Sequence, residues 1–341
     1  MKFPSFLERG DKIVLTALSN GVRKNDLNRI NKFNKAKENL KKEGFNVEMQ
    51  DHCLKYRMYK SASGKVRGHK FNEAYLDKDS KMILNVAGGD FEYESVPYIN
   101  YKKIKESEPK WVQGYSDSTY ITFLMTTLCD TASSYSIGLS DYGTYELSKQ
   151  ARNNLDLLEG KKMIQYSYEM YNQVRNDEDD IYAMPVYDTK VEWKTLNKEE
   201  EVTISGRLIG GCQDVINKIV GTKYDKVKKF LYKYREDGFV WYLETFSSDE
   251  SSFMGCLNQL KEAGYFKYCK GIVFGRPLFY NSEFVNISYE KAIKMVLGKL
   301  NVPIIYDADI GHVKPMITLI NGSITTFKYK KGQCEIITEL R

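Results

Sequence analysis

The sequence predicts an α/β protein with an N-terminal doubly wound parallel sheet and a second, mixed α/β domain. Short apolar, β-branched segments alternate with segments of helical spacing over the first 150 residues, an order typical of a parallel sheet. The chain has 341 residues, which is long for one compact core. The stretch 171–201 is polar before the alternation resumes. We therefore expect domains over 1–170 and 202–341, joined by a linker or surface loop over 171–201.

The N-terminal elements follow from hydrophobic periodicity and from glycine positions. Four apolar residues between 27 and 40 keep helical spacing, and Gly44 stands where a helix commonly ends. The other predicted elements of this half are strands at Lys12–Leu18, Phe45–Met49, Met82–Ala87 and from Trp111, and helices near 70–79 and 118–128.

The C-terminal half repeats the alternation with a less regular order, which indicates a mixed sheet. Its predicted elements are a strand and turn at Val202–Gly211, a helix at Gln213–Val220, a strand at Phe239–Leu243, a helix at Phe253–Ala263, a strand at Gly271–Phe274, a helix at Tyr289–Leu300, and short strands after Pro303.

Composition and charge exclude several classes of protein. The formal charge of +6 comes from 51 basic and 45 acidic residues that are dispersed along the chain, so no nucleic-acid footprint is present. No apolar run reaches the roughly 18–20 residues of a membrane helix, and the first 20 residues lack a signal-peptide pattern. The six cysteines show neither C-x-x-C nor zinc-ligand spacing. We expect a cytoplasmic protein with reduced thiols, no metal and no membrane or nucleic-acid partner.

Ser116 lies in a predicted strand-turn-helix, Gly114-Tyr115-Ser116-Asp117-Ser118, at the carboxyl end of a strand. Ligands of doubly wound sheets bind outside these ends, and Gly88-Gly89 is expected at another one. A serine in such a turn can act as a nucleophile, with backbone N–H groups beside it to bind an oxyanion. The segment departs from G-x-S-x-G because Ser118 replaces the second glycine. From the turn alone, a helix N-cap is the favoured interpretation of Ser116.

Only three histidines are available as a general base. His52 and His69 lie in polar segments and are expected to be solvated loop residues. His312 follows the apolar strand Pro303–Tyr306, in a loop bracketed by Gly311 and Pro315, where catalytic groups are commonly placed. It could also be a turn residue that caps a backbone group.

Glu244 ends the apolar strand Phe239–Leu243 and is either its first solvated residue or a placed carboxylate. A serine–histidine pair needs a carboxylate to orient the imidazole, and the chain order serine, acid, histidine is a permitted one. The glycines of Gly206–Gly211 superficially resemble a phosphate loop, but Cys212-Gln213 replaces the required Lys-Ser/Thr, so a P-loop is rejected.

Six segments in one order resemble the LD-carboxypeptidase family of serine peptidases, which includes the microcin C self-immunity peptidases. They extend over about residues 11–325 and are Gly88-Gly89-Asp90, Gly114–Thr119, Gly206–Gly211, Tyr242-Leu243-Glu244, Phe274–Pro277 and Asp309–Pro315. The resemblance implies a flavodoxin-like N-terminal domain, a swivelling-type C-terminal domain, a cytoplasmic homodimer, and no metal or other cofactor.

The resemblance also implies a Ser-Glu-His triad, and its members here are Ser116, Glu244 and His312. The family's oxyanion donors map to the backbone N–H groups of Asp117 and Gly89. The implied reaction is the hydrolysis of an amide through an acyl-enzyme.

Two substrate classes follow from the two branches of the family. One is an aminoacyl-nucleotide of the microcin C type, and the other is a murein tetrapeptide that loses its terminal D-alanine. Trp193, in a polar stretch, resembles the loop tryptophan of the immunity branch and could stack on a purine, or it could pack at the domain junction. We favour the immunity branch. A non-catalytic small-molecule binding protein on the same fold is a third hypothesis, but it would not need all three triad residues.

Overall fold

A computed structural model describes residues 1–173, 180–283 and 285–341. These described residues divide into two compact units. The first holds residues 1–162 and 180–186, and the second holds residues 163–173 and 187–341. Among the described residues, no helix is long and apolar enough to cross a membrane.

The first unit alternates strands and helices, as expected. Its elements are β1 (Lys12–Thr16), α1 (Leu27–Lys42), β2 (Asn46–Met49), α2 (Gly64–Leu76), β3 (Ser80–Asn85), α3 (Tyr101–Glu106), β4 (Trp111–Gly114), α4 (Thr119–Cys129), β5 (Ser133–Tyr135) and α5 (Lys149–Leu158).

The five strands of this unit lie in the order β2-β1-β3-β4-β5, and each neighbouring pair is parallel. This is the flavodoxin-like strand order, so the predicted N-terminal fold is confirmed. Helices cover the sheet with apolar side chains, and the sheet strands contribute residues such as Val14, Ile83 and Val112 to a core that is almost fully buried. The carboxyl ends of β1, β3 and β4 therefore meet at one edge of the sheet.

The second unit is a mixed α/β structure, also as expected. Its elements are β6 (Ile164–Tyr166), β7 (Met170–Tyr171), β8 (Thr189–Lys190), β9 (Lys194–Thr195), β10 (Glu201–Cys212), α6 (Gln213–Ile219), α7 (Val227–Lys233), β11 (Phe239–Glu244), β12 (Ser247–Asp249), α8 (Glu250–Glu262), β13 (Cys269–Gly275), β14 (Phe279–Asn281), α9 (Tyr289–Leu297), β15 (Ile304–Ala308), β16 (Leu319–Asn321), β17 (Ile324–Lys330) and β18 (Gln333–Glu339).

Eight of these strands form one sheet in the order β6-β18-β17-β10-β11-β13-β15-β9. The central strands β10, β11, β13 and β15 are parallel, and antiparallel strands flank them. The glycines near 206–211 lie within β10, where a Cβ on Gly210 would come within 1.8 Å of the Tyr242 carbonyl oxygen. Close packing of β10 on β11 therefore explains the glycine at 210 without a phosphate.

Three element predictions need correction. The helix expected near 70–79 begins at Gly64, because the Ser63 side chain accepts the Val66 N–H as its N-cap. The turn expected within 202–211 is absent, since that segment belongs to the continuous strand β10. The stretch 171–201, expected as a linker or loop, includes β9, which pairs with β15 at the edge of the second sheet. Its residues 174–179 lie outside the described part of the chain.

Candidate active site

Ser116 occupies a strained turn between β4 and α4. Its φ is +63°, in the left-handed region that costs a non-glycine residue about 1–2 kcal/mol. The Ser116 N–H donates to the hydroxyl of Tyr135 at 3.2 Å, which helps to hold this conformation. Ser118, and not Ser116, stands at the N-cap position of α4. The alternative that Ser116 caps this helix is therefore wrong, and a strained turn of this kind is typical of a nucleophile.

The glycine pair after β3 passes directly beside Ser116. A Cβ on Gly88 would lie 3.1 Å from the Ser116 Cβ and 3.2 Å from its Oγ. Gly89 has a φ of +149°, and a Cβ there would come within 2.4 Å of the Ser19 Oγ. Gly89 thus requires the absence of a side chain, and a side chain at Gly88 would press against Ser116. The unit brings the backbone at 88–89 and at Asp117 next to Ser116, and the oxyanion role of Asp117 and Gly89 remains a prediction.

A buried polar network lies beneath this turn, and sequence reasoning did not find it. The Asp117 carboxylate accepts hydrogen bonds from the Ser19 hydroxyl at 2.5 Å and from the Glu92 N–H at 2.8 Å. The Asn85 amide donates to the Ser118 hydroxyl and to the Glu92 carboxyl group. These contacts tie the loops after β1, β3 and β4 to one another. The available signal was the placement of polar Ser19 and Asn85 at the ends of apolar strands.

Glu92 is a fully buried carboxyl group in this network. Burial raises its pKa well above the usual value, and the negative charge of Asp117 raises it further. The Ile121 N–H, in the first turn of α4, donates to Glu92 at 3.2 Å. Glu92 thereby joins the start of α4 to the loop after β3, on either side of Ser116.

In the second unit, Glu244 and His312 form a hydrogen-bonded pair. Nδ1 of His312 lies 2.8 Å from Oε2 of Glu244, and both side chains are buried. Because a carboxylate only accepts, we assign the proton to Nδ1, which leaves Nε2 as the basic nitrogen. Two residues 68 positions apart are therefore brought together in the arrangement that a histidine base and its orienting acid would need.

Two glycines make room for this pair. Glu244 ends β11 and His312 follows β15, and β13 lies between these strands and ends at Gly275. A Cβ on Gly275 would lie 3.0 Å from the Glu244 Cβ and 2.2 Å from the Ile310 carbonyl oxygen. Gly311 has a φ of +96°, and a Cβ there would come within 2.5 Å of Glu244 Oε2. The glycines in Phe274–Pro277 and Asp309–Pro315 thus have a steric purpose at the site.

The segment after Glu244 is fixed by Asp214. The Asp214 carboxylate accepts from the Thr245 hydroxyl at 3.0 Å and from the Phe246 N–H at 3.2 Å. Burial raises the pKa of Asp214, and the nearby charge of Glu244 adds to this rise. Phe246 in turn packs its ring against the His312 imidazole, with the ring centres 4.8 Å apart. Asp214 therefore helps to position a side chain that contacts the histidine.

Asp309 holds the beginning of the histidine loop. Its carboxylate accepts hydrogen bonds from the Tyr168 N–H, from the Trp193 indole N–H at 3.0 Å, and from Arg276. Trp193 is completely buried. Its expected role as a substrate-stacking side chain needs correction, because no face of a fully buried indole is open to a purine. Trp193 supports the loop that ends in His312 instead.

The two other histidines differ from their predicted loop setting. His52 is buried at 1% exposure, and one ring nitrogen accepts the Ala17 N–H at 3.2 Å. Burial lowers its pKa to about 4. The expectation of a solvated His52 is therefore wrong. His69 is exposed, as expected, but it lies on α2.

The structure thus provides two groups of candidate functional residues, each within its own unit. The first contains Ser116 with Gly88, Gly89 and Asp117, and the second contains the Glu244–His312 pair. Residues 13–136 match the family model described as the LD-carboxypeptidase N-terminal domain, and residues 205–327 match the one for the LD-carboxypeptidase C-terminal domain. The chain belongs to the LD-carboxypeptidase family. It is therefore a serine-type hydrolase of the carboxypeptidase class.

Relatives and solved structures agree with this assignment. A Vibrio cholerae protein with carboxypeptidase in its name is 27% identical over 295 residues, which are 84% of this chain and 84% of that protein. The microcin C7 self-immunity protein MccF of Escherichia coli is 23% identical over 314 residues, which are 86% of this chain and 84% of that protein. A solved structure of MccF in complex with glutamyl sulfamoyl guanosine is 20% identical, covers 99% of this chain and 98% of that chain, and has a TM-score of 0.82. That likeness confirms the two-domain α/β fold of this LD-carboxypeptidase family member.

Proposed function

We propose that this chain is a serine peptidase in which Ser116, His312 and Glu244 form a catalytic triad. The observation that carries the proposal is the buried Glu244–His312 hydrogen bond of 2.8 Å, from which we assign the proton to Nδ1 and the role of base to Nε2. The left-handed backbone of Ser116 supports its role as nucleophile. A binding protein without catalysis would need neither feature.

The proposed reaction hydrolyses an amide bond in two steps. Nε2 of His312 takes the proton of Ser116 while the hydroxyl oxygen attacks the carbonyl carbon, and the Glu244 carboxylate holds Nδ1–H. The backbone N–H groups of Asp117 and Gly89 are the proposed donors to the oxyanion. The C–N bond then breaks, and His312 protonates the leaving amine. Water, activated by His312, hydrolyses the ester and restores Ser116.

Two substrate classes remain candidates for this site. The MccF complex with glutamyl sulfamoyl guanosine supports an aminoacyl-nucleotide of the microcin C type. The relatives with carboxypeptidase in their names support a short peptide, such as a murein tetrapeptide that loses D-alanine. Burial of Trp193 removes one of the features that favoured the nucleotide. The resemblance of Gly210–Asp214 and Trp241–Glu244 to the immunity branch is unaffected. We also propose that the protein acts in the cytoplasm and that it is a homodimer. Light scattering of the purified protein would test the homodimer.

The decisive experiment compares the wild type with Ser116→Ala on both substrate classes. We expect the variant to lose hydrolysis of whichever substrate the wild type cleaves, and to lose covalent labelling by a fluorophosphonate. Ser5→Ala removes an exposed hydroxyl from the same unit and is the matched control. It should keep both the hydrolysis and the labelling by the fluorophosphonate. Turnover by Ser116→Ala at the wild-type rate would refute the nucleophile. A wild type that cleaves neither substrate would refute the proposed substrate classes.

A further inference from the structure

A small pocket lies beside the turn that carries Ser116, within the first unit, and is lined by the neighbours of Ser116 in that turn rather than by Ser116 itself. Its volume is about 90 Å³, and its walls include Gly88, Tyr115 and Ser118 on the nucleophile side. The opposite wall is formed by the turn after β5, with Ser140 and Asp141, and by Arg29 of α1. The pocket thus opens at the sheet edge where the carboxyl ends of β3, β4 and β5 meet.

Arg29 is the cation of this pocket, which the carboxylate of Asp141 also lines. In the described part of the chain, the Arg29 guanidinium forms neither an ion pair nor a side-chain hydrogen bond, and lies over the Phe33 ring at 5.8 Å. The Asp141 carboxylate, in contrast, accepts the Gly138 N–H at 3.0 Å and faces the Gln150 amide at 3.4 Å. The turn therefore holds the acid in place, while the guanidinium is available for an anion.

The size of the pocket limits what can enter it. Sites for drug-sized ligands occupy roughly 300–1,000 Å³, so a pocket of about 90 Å³ is too small for a nucleoside. It suits a single small residue. A guanidinium binds a carboxylate through two parallel hydrogen bonds, which fixes the direction of the bound group.

We propose that this pocket receives the C-terminal residue of a peptide substrate and that Arg29 binds the terminal carboxylate. The inference rests on the proposed function, because it takes Ser116 as the nucleophile that attacks the preceding carbonyl. Cleavage breaks the C–N bond of the last peptide link. The leaving amine takes its proton from His312, and water then releases the shortened peptide acid. The products are that peptide and one small free amino acid, as an exopeptidase requires.

The test uses two peptides that end in the same small residue and differ only at the terminus, a free carboxylate in one and a carboxamide in the other. We expect the wild type to prefer the carboxylate by on the order of 10- to 100-fold in kcat/KM, the range for a hydrogen bond to a charged group. Arg29→Gln should lower kcat/KM for the carboxylate peptide so far that the ratio of kcat/KM between the two peptides approaches one. Arg29→Lys keeps the positive charge but cannot form the two parallel hydrogen bonds of a guanidinium. Its kcat/KM for the carboxylate peptide should therefore lie between the values for the wild type and for Arg29→Gln.

Lys41→Gln is the matched control, because it removes an exposed cation from the far end of the same helix and should keep the preference. Circular dichroism melts of each variant show whether the helix remains folded. Equal rates for both peptides in the wild type, or a preference that survives in Arg29→Gln, would overturn the proposal and leave the triad intact. Failure of the wild type on both peptides would overturn this proposal together with the peptide form of the proposed function.

Discussion

At the scale of single residues, the backbone of Ser116, the proposed nucleophile, differs from that of a helix-capping serine. A capping serine has extended backbone and accepts an N–H two or three residues on, as Ser63 does for α2. Ser116 has a left-handed backbone, and its own N–H donates to Tyr135. Both serines precede a helix in the sequence, so local pattern cannot separate them. The difference depends on contacts with other strands.

Trp193 provides a residue-scale prediction, because a stacking role and a supporting role have different consequences. Trp193→Phe removes the indole N–H that donates to buried Asp309. We expect the free energy of unfolding to fall by about 1.5–3 kcal/mol, the range for a hydrogen bond to a charged group. KM should change little, since the buried ring does not reach a substrate. Urea unfolding and steady-state kinetics measure the two effects.

Trp111→Phe is the control for this change. The Trp111 indole N–H donates at 2.8 Å to the neutral carbonyl oxygen of Ser5, in the other unit. Its loss should cost about 1 kcal/mol of unfolding free energy with no change in kinetics. A KM for an aminoacyl-nucleotide that rises many-fold in Trp193→Phe, at unchanged stability, would restore the stacking role.

At the scale of elements, the proposed catalytic groups come from the carboxyl ends of parallel strands or from the loops that follow them. The glycine pair follows β3, Ser116 follows β4, Glu244 ends β11 and His312 follows β15. The sequence predicted these strands and their ends because apolar, β-branched runs stop at glycine or at a polar residue. It did not predict β9, a two-residue edge strand, because so short a segment shows no periodicity. It also missed the burial of His52, whose polar neighbours in the sequence are not its neighbours in space.

Gly88→Ala is the prediction at this scale. The new methyl group would lie 3.1 Å from the Ser116 Cβ and 3.2 Å from its Oγ, which is closer than ordinary contact, so the serine must shift. We expect kcat to fall several-fold, which is less than the roughly 100-fold that a displacement of about 1 Å at a reacting group can cost, because contacts of this length require a shift of only a few tenths of an ångström. Single-turnover kinetics with either candidate substrate would measure the loss.

Gly255→Ala is the matched control, because a Cβ at this position on α8 meets nothing within 4 Å. It should leave kcat unchanged and raise the unfolding free energy by up to about 1 kcal/mol, the helix preference for alanine over glycine. Wild-type kcat in Gly88→Ala would show that the glycine pair does not constrain the nucleophile.

At the scale of the whole molecule, two buried groups near the sheet edge link stability to pH with opposite signs. Burial, and then the negative charge of Asp117, raise the pKa of Glu92. Its contribution to the free energy of unfolding is therefore present at low pH and is lost as pH rises. The pKa of His52 is lowered to about 4 by burial. Between about pH 6.5 and pH 4, His52 is therefore protonated in the unfolded chain but neutral in the folded protein. The His52 contribution is present above this window and is lost as pH falls through it.

His52→Gln tests this linkage. Glutamine offers an oxygen to accept the Ala17 N–H, so the loop after β1 can keep that hydrogen bond without a titrating ring. Between pH 7 and pH 5, we expect the wild type to lose about 2 kcal/mol more unfolding free energy than the variant. Urea unfolding at the two pH values measures the difference, and His69→Gln, which removes an exposed histidine, is the control. If the wild type and His52→Gln lost equal unfolding free energy, His52 would be protonated within the folded protein as readily as in the unfolded chain. In that case the charges around it, Asp51 among them, would offset its burial.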